Sequence, residues 1–150
     1  MQAKSNGFTL RELLIVLAII GVLATVGITS GAGIARRQAA QGAIATFQQS
    51  VWQGATLAAS RGQTIELRRS GDELHLVGTR TGNTLRTYEL PAGVDIPVSN
   101  PILSFLPPGK VDTTSLNNLP DELVINTGEG RYELTISLIG EVFATRLGDS

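Results

Sequence analysis

The chain contains no cysteine, and this absence excludes disulfide bridges, thiolate metal sites and a cysteine nucleophile. It has one histidine, His75, which excludes a metal site built from several histidines. No Walker loop, nucleophile elbow or H-E-x-x-H helix is present. We therefore expect a protein that is not an enzyme, with no catalytic residue, no cofactor and no bound metal.

Excess charge is also lacking, since the formal net charge of the chain is -1. Beyond Ala35 there are ten basic and twelve acidic residues, which leaves that part near -2. Such a balance provides no general attraction to nucleic acid or to anionic lipid, although a local basic patch remains compatible with it.

Charged residues are missing altogether from Leu13 to Ala35. A helix of about 20 apolar residues crosses the ~30 Å hydrocarbon core of a bilayer. A helix buried in a soluble core would show a polar face, and this segment shows none. The segment therefore predicts a membrane helix. A cleaved secretory signal and a generic single-pass anchor are alternatives, but the Arg11-Glu12 pair beside the apolar run is unusual for a secretory signal.

A short polar leader containing Lys4 precedes the sequence Gly7-Phe8-Thr9-Leu10-Arg11-Glu12, and the apolar run follows it directly. This order resembles the prepilin signature of type IV pilins and type II secretion pseudopilins. The resemblance implies that prepilin peptidase cleaves between Gly7 and Phe8 at the cytoplasmic face and methylates the new amino terminus at Phe8. Residues 1–7 would then be the leader, and residues 8–35 the transmembrane and assembly helix.

Glu12 is the one acid at the start of the membrane helix. A carboxylate at this position is unfavourable in lipid unless it has a partner. The resemblance implies that the partner is the α-amine of Phe8 in a neighbouring subunit, so that Glu12 acts in assembly. The residues themselves also fit a capping box, because Thr9 and Glu12 have the S/T-x-x-E spacing of a helix start. The two roles are compatible.

The helical pattern continues beyond the apolar run. One apolar stripe has helical spacing and consists of Ile44, Phe47, Val51, Ala55 and Ala58. Gly62 predicts the end of this amphipathic half near Arg61. Small residues also recur every four positions at Gly27, Gly31 and Ala35, and this spacing permits close helix packing in lipid, although a simple bias toward small residues explains it as well.

After Gly62 the apolar period becomes that of strands. The predicted strands are Thr64–Arg68, Glu73–Val77, Thr84–Leu90, Leu123–Asn126, Tyr132–Ile136 and Val142–Thr145. All six prolines lie from Pro91 to Pro120, which predicts an irregular excursion with one buried segment, Ile102–Leu106. We thus predict a pilin-like α+β fold. Its long N-terminal helix, half transmembrane and half amphipathic, would pack against an antiparallel β-sheet head within residues 36–150.

The head resembles the GspH/FimT-like group of minor pilins and pseudopilins. The likeness is carried by the segments Phe105–Gly109 and Ser137–Val142, each of which contains a glycine turn. Some members of this group bind DNA through arginines around the final glycine turn. Here Glu141 follows Gly140 and would repel phosphate. The remaining candidates for DNA contact are Arg68 and Arg69, which could form a patch with Arg80, Arg86 and Arg131, although scattered solvated arginines on alternating strands explain these residues as well.

The expected function is that of a minor pilin or pseudopilin, which assembles into a type IV pilus-like or type II secretion filament. The resemblance implies four partners, namely other pilin-like subunits, prepilin peptidase, the inner membrane assembly platform and membrane lipid. It also implies a single-pass protein of the bacterial inner membrane, with its head in the periplasm. One alternative is a tip pilin that binds DNA for uptake, and another is an anchored envelope protein or enzyme with a coincidental signature.

Overall fold

The computed structural model describes residues 9–96, 100–120 and 123–148. The predicted cleavage position between Gly7 and Phe8 lies outside these residues, and so do the side-chain surroundings of residues 25–32. The chain divides into two units, Met1–Ala35 and Arg36–Ser150.

The first helix, α1, covers Leu10–Arg61. It ends where the sequence predicts, because Gly62 adopts φ +58° and its N–H donates to the carbonyl of Ala58 at 3.0 Å. This left-handed conformation carries little strain for glycine and stops the helix.

The apolar stripe predicted on the second half of α1 is confirmed as its buried face. Phe47, Val51 and Ala58 are fully buried, while Ile44 and Ala55 are half-buried. Ser50 is also buried there, and its hydroxyl donates to the carbonyl of Phe47 at 2.7 Å. A buried hydroxyl on a helix needs such an internal acceptor, since leaving it unpaired is unfavourable.

Antiparallel strands follow the helix and form two sheets. The first has five strands in the order β3-β2-β1-β4-β5, and the second has three in the order β6-β7-β8. The strands are β1 (Ile65–Ser70), β2 (Glu73–Gly78), β3 (Thr84–Glu89), β4 (Leu103–Leu106), β5 (Lys110–Val111), β6 (Leu123–Thr127), β7 (Gly130–Ile136) and β8 (Val142–Arg146). The predicted hairpin is β1–β2, with Ser70 opposite Glu73.

The α+β fold class is confirmed. Within the predicted proline-rich excursion, Ile102, Leu103 and Phe105 are buried as predicted, but the excursion is not irregular throughout. That region contains β4, β5 and a short helix, α2 (Thr113–Asn117), and β4 pairs with β1 so that Phe105 lies opposite Ile65. The head also has two sheets, where the sequence predicted one. The strand β4 does alternate buried and less buried side chains, but its partner β1 is distant in the chain, and local sequence patterns do not show which strand will be the partner.

One apolar core joins the helix to both sheets. Its fully buried members include Phe47 and Val51 of α1, Leu67 and Phe105 of the first sheet, and Ile125 of the second. The core requires a close approach at Gly54 of α1. A Cβ at that position would lie 2.3 Å from Cε2 of the buried Phe105 ring, so only glycine lets the ring pack against the helix.

Candidate assembly site

The first turns of α1 carry a large exposed apolar surface. The large apolar residues from Leu13 to Leu23 are all exposed, from 48% at Val16 to 65% at Leu23. The exposed residues lie on every side of the helix. Soluble monomers rarely leave a continuous apolar patch above a few hundred Å² in water, so this surface marks a site of contact with another molecule, either lipid or protein.

Among the residues that the structure describes, no helix combines the length and the apolarity needed to cross a membrane.

Glu12 forms the predicted capping box with Thr9. Oε2 of Glu12 accepts hydrogen bonds from the backbone N–H and from the hydroxyl of Thr9, each at 2.9 Å. In return the backbone N–H of Glu12 donates to the hydroxyl oxygen of Thr9 at 3.3 Å. Two donors at the helix start are satisfied in this way.

The capping box occupies only one oxygen of the Glu12 carboxylate. Within the described part of the chain, Oε1 has no hydrogen-bond partner, and the whole side chain is exposed. A carboxylate accepts several hydrogen bonds, so the cap leaves an acceptor free for another group. The assembly role of Glu12 stays a prediction, and the geometry is compatible with it.

The small residues proposed for helix packing are only partly described. Gly27 and Gly31 belong to α1, but their side-chain surroundings lie outside the described residues. Ala35 is exposed. Close helix packing along this row therefore also stays a prediction.

An ion pair that no sequence motif predicts links α1 to the turn between β6 and β7. Nε of Arg37 lies 3.1 Å from Oε1 of Glu129, and the two side chains are 73% and 19% exposed. Exposed pairs contribute at most about 1 kcal/mol, so this contact orients the turn more than it stabilises the head. The partners are distant in the chain, and no motif links them.

Each of the two arginines proposed for DNA contact forms an ion pair with an acid of the head. Arg68 is half exposed and lies 2.7 Å from Oε2 of Glu66. Arg69 is largely covered, and its Nη1 lies 2.6 Å from Oδ1 of Asp95. Its guanidinium also donates to the carbonyls of Gly71 and Ile96, each at 2.9 Å. Arg69 thus connects the segment after β3 to the β1–β2 hairpin. DNA contact by either arginine stays an untested prediction.

Replacing Arg69 with alanine is expected to destabilise the head by about 1–3 kcal/mol, because several hydrogen bonds to a charged donor are lost together. Arg68→Ala is the matched control, with an expected change within about 0.5 kcal/mol because its single pair is exposed. Thermal denaturation of the full chain in detergent measures both variants. Equal destabilisation by the two substitutions would contradict the role of Arg69 in connecting the segment after β3 to the β1–β2 hairpin.

Within residues 9–96, 100–120 and 123–148, no three His, Cys, Asp or Glu side chains are grouped closely enough to hold a metal ion.

Comparison with known families identifies the N-terminal segment. The family model described as the prokaryotic N-terminal methylation motif matches residues 2–28. No curated protein and no solved structure matches the chain. The match covers the segment from Gly7 to Glu12 but not the head, so the likeness to the GspH/FimT-like group stays a prediction. The match, together with the α+β fold, supports a type IV pilin-like protein that carries an N-terminal methylation motif.

Proposed function

We propose that this chain is a minor pilin or pseudopilin, which is cleaved before Phe8, methylated there, and assembled into a type IV pilus-like or type II secretion filament. The observation that carries the proposal is the N-terminal methylation motif over residues 2–28, which includes the exposed apolar helix surface of Leu13–Leu23. The resemblance of the head to the GspH/FimT-like group favours a minor subunit.

Processing creates the charge that assembly uses. Hydrolysis of the amide between Gly7 and Phe8 releases the leader carboxylate and leaves Phe8 with a basic α-amine. This amine remains protonated at neutral pH, because α-amino groups have pKa values near 8. The new cation would be the terminal group of the mature subunit, at the end of its apolar helix.

Glu12 supplies the matching anion. We propose that the α-amine of Phe8 from a neighbouring subunit donates to Oε1 of Glu12, while Oε2 keeps its bonds to Thr9. A carboxylate and an ammonium group form a short, charge-assisted hydrogen bond, and surrounding apolar side chains weaken its screening. The pair sets the axial register between neighbouring helices.

Membrane lipid and neighbouring helices would cover the same apolar surface in turn. Before assembly, residues 8–35 cross the bacterial inner membrane once and the head lies in the periplasm. During assembly, the helices of other pilin-like subunits replace lipid around Leu13–Leu23. Gly27, Gly31 and Ala35 would allow close approach of these helices, because small side chains bring backbones together.

The test is recovery of the chain from filaments. Filaments are sheared from cells that express the tagged full chain, and the filament and membrane fractions are compared by immunoblotting. We expect the mature chain in both fractions, and its loss from the filament fraction when prepilin peptidase is inactivated. Presence of the chain in membranes alone, while other subunits form abundant filaments, would contradict the proposal.

A further inference from the structure

The edges of the two sheets differ in how they are covered. An uncovered edge strand presents a row of unpaired N–H and C=O groups that bind another extended strand. The edge strands of this head are β3, β5, β6 and β8. At β5, the N–H of Val111 donates to the carbonyl of Leu138 at 3.0 Å. At β6, Asn126 exchanges two hydrogen bonds with Asp95, at 2.8 and 2.9 Å.

The β3 edge is protected by different means. Its exposed residues include the charged Arg86 and Glu89, and its pairing with β2 shifts register between Leu76 and Val77. Charged side chains and bulges on an edge strand are the usual devices against further pairing. The strand β8 has neither a proline nor a register shift in its pairing with β7.

The hydrogen bonds of β8 show which of its backbone groups point outward. The N–H of Leu147 donates to the carbonyl of Arg131, and the N–H of Ser137 donates to the carbonyl of Glu141. In an antiparallel pair the bonded residues alternate, so the odd-numbered residues of β8 bond to β7. The even-numbered residues therefore direct their N–H and C=O groups toward the open edge.

A side chain of α1 confirms this direction. Nε2 of Gln48 donates to the carbonyl of Val142 at 2.9 Å, from the side opposite β7. Beyond that contact, the outward N–H and C=O groups of Ala144 and Arg146 have no partner within the described residues. The two N–H and two C=O groups of these residues are thus spaced as the backbone groups that pair with an added extended strand.

The outer face of the same strand presents one large apolar side chain, which lies between Glu141 and Thr145. Phe143 is 58% exposed, and its neighbour across the sheet is Thr135. The turn that leads into β8 exposes Leu138 and Ile139. The Arg146 side chain does not cover the open edge of β8. Its Nη2 donates to the carbonyl of Glu129 at 3.3 Å, so the side chain is directed toward the β6–β7 turn.

We propose that the open edge of β8 binds an extended strand donated by a neighbouring pilin-like subunit. The added strand would pair with the backbone of Ala144 and Arg146 and place an apolar side chain beside Phe143. Main-chain hydrogen bonds would supply affinity in this mode, and the alternate side chains would supply specificity. The contact rests on the proposed function, because it joins subunits that are already anchored together.

The donated strand is not β8 of a second copy in an antiparallel pairing. Two antiparallel copies of one edge strand are related by a two-fold axis perpendicular to the sheet. The helix α1 packs on the face of this sheet, since Phe47 and Val51 share a core with Ile125 and Leu134. Such an axis would point the two helices in opposite directions, whereas subunits of one filament share one direction. The contact is therefore heterologous, which is the kind that propagates along a filament.

Hydrogen exchange of the full chain tests the contact. Quenched exchange is measured on filaments and on detergent-solubilised subunits, and the amides of Ala144 and Arg146 are compared with that of Glu89. The amide of Glu89 points outward from the β3 edge, because Leu90 donates to the carbonyl of Asp72 and the bonded residues alternate from there. We expect Ala144 and Arg146 to exchange at least about tenfold more slowly in filaments, and Glu89 to be unchanged.

A proline pair provides the second measurement. Ala144→Pro removes an outward N–H without removing a bond to β7, and Glu89→Pro does the same on β3. We expect Ala144→Pro to lower recovery in filaments about tenfold at an unchanged melting temperature, and Glu89→Pro to have no effect. Rapid exchange of Ala144 in chains that are present in filaments would overturn the strand contact alone. Absence of the wild-type chain from filaments would overturn the proposed function and the contact with it.

Discussion

Replacing Glu12 with glutamine is expected to leave the protein processed and folded, but about tenfold or more depleted from filaments. Glutamine preserves the capping box, since its side-chain oxygen accepts from Thr9 as Oε2 of Glu12 does. It removes the negative charge, so the hydrogen bond to a neighbouring α-amine loses its ionic part. The measurement is the ratio of filament to membrane protein in quantitative immunoblots.

Two further variants separate the roles of this site. Thr9→Ala removes the cap and keeps the carboxylate, so incorporation into filaments should stay near that of the wild type. Glu12→Asp keeps the charge on a shorter side chain, and it should restore part of the incorporation that glutamine loses. If Glu12→Gln entered filaments normally while Thr9→Ala did not, Glu12 would be a helix cap alone.

Substituting Gly54 with alanine is expected to destabilise the head by about 2–3 kcal/mol, and to lower its melting temperature by roughly 10 °C. Helix propensity alone predicts the opposite sign, because alanine is favoured over glycine by about 1 kcal/mol within a helix. The new Cβ would lie 2.3 to 2.9 Å from three atoms of the Phe105 ring. Phe105 is fully buried, so relief of this overlap requires displacement of the core.

Gly42→Ala is the matched control on the same helix. Its Cβ would lie 3.6 Å from Cγ of Pro91, which is an ordinary van der Waals distance. This variant should melt at or slightly above the wild-type temperature. The double variant Gly54→Ala with Phe105→Leu should lose less than the sum of the two single changes, because they share one contact. A wild-type melting temperature for Gly54→Ala would contradict the close packing of the Phe105 ring against Gly54.

Local signals in the sequence identified the parts of the fold that depend on neighbouring residues. Gly62 predicted the end of α1, and the apolar stripe around Phe47 predicted its buried face. The spacing of Thr9 and Glu12 predicted the capping box, which the hydrogen bonds confirm. In each case the interacting groups lie within about one helical turn, and residue type and spacing carry the information.

Local sequence patterns did not predict the contacts between distant segments of the chain. Phe105 was predicted to be buried, but nothing in the sequence shows that its ring meets Gly54 or that β4 pairs with β1. Arg69 resembled a surface cation on an alternating strand, yet Asp95 and nearby carbonyls surround its guanidinium. The open edge of β8 appears only once the order of strands is known.

The central claim is that the bond between Gly7 and Phe8 is cut and that the apolar helix remains with the mature chain. Mass spectrometry of the N-terminal peptide, from the full chain recovered from membranes and filaments, tests it most directly. We predict a chain that starts at Phe8 with one methyl group on its amine. An intact leader of residues 1–7, or a chain that starts beyond Ala35, would contradict the account.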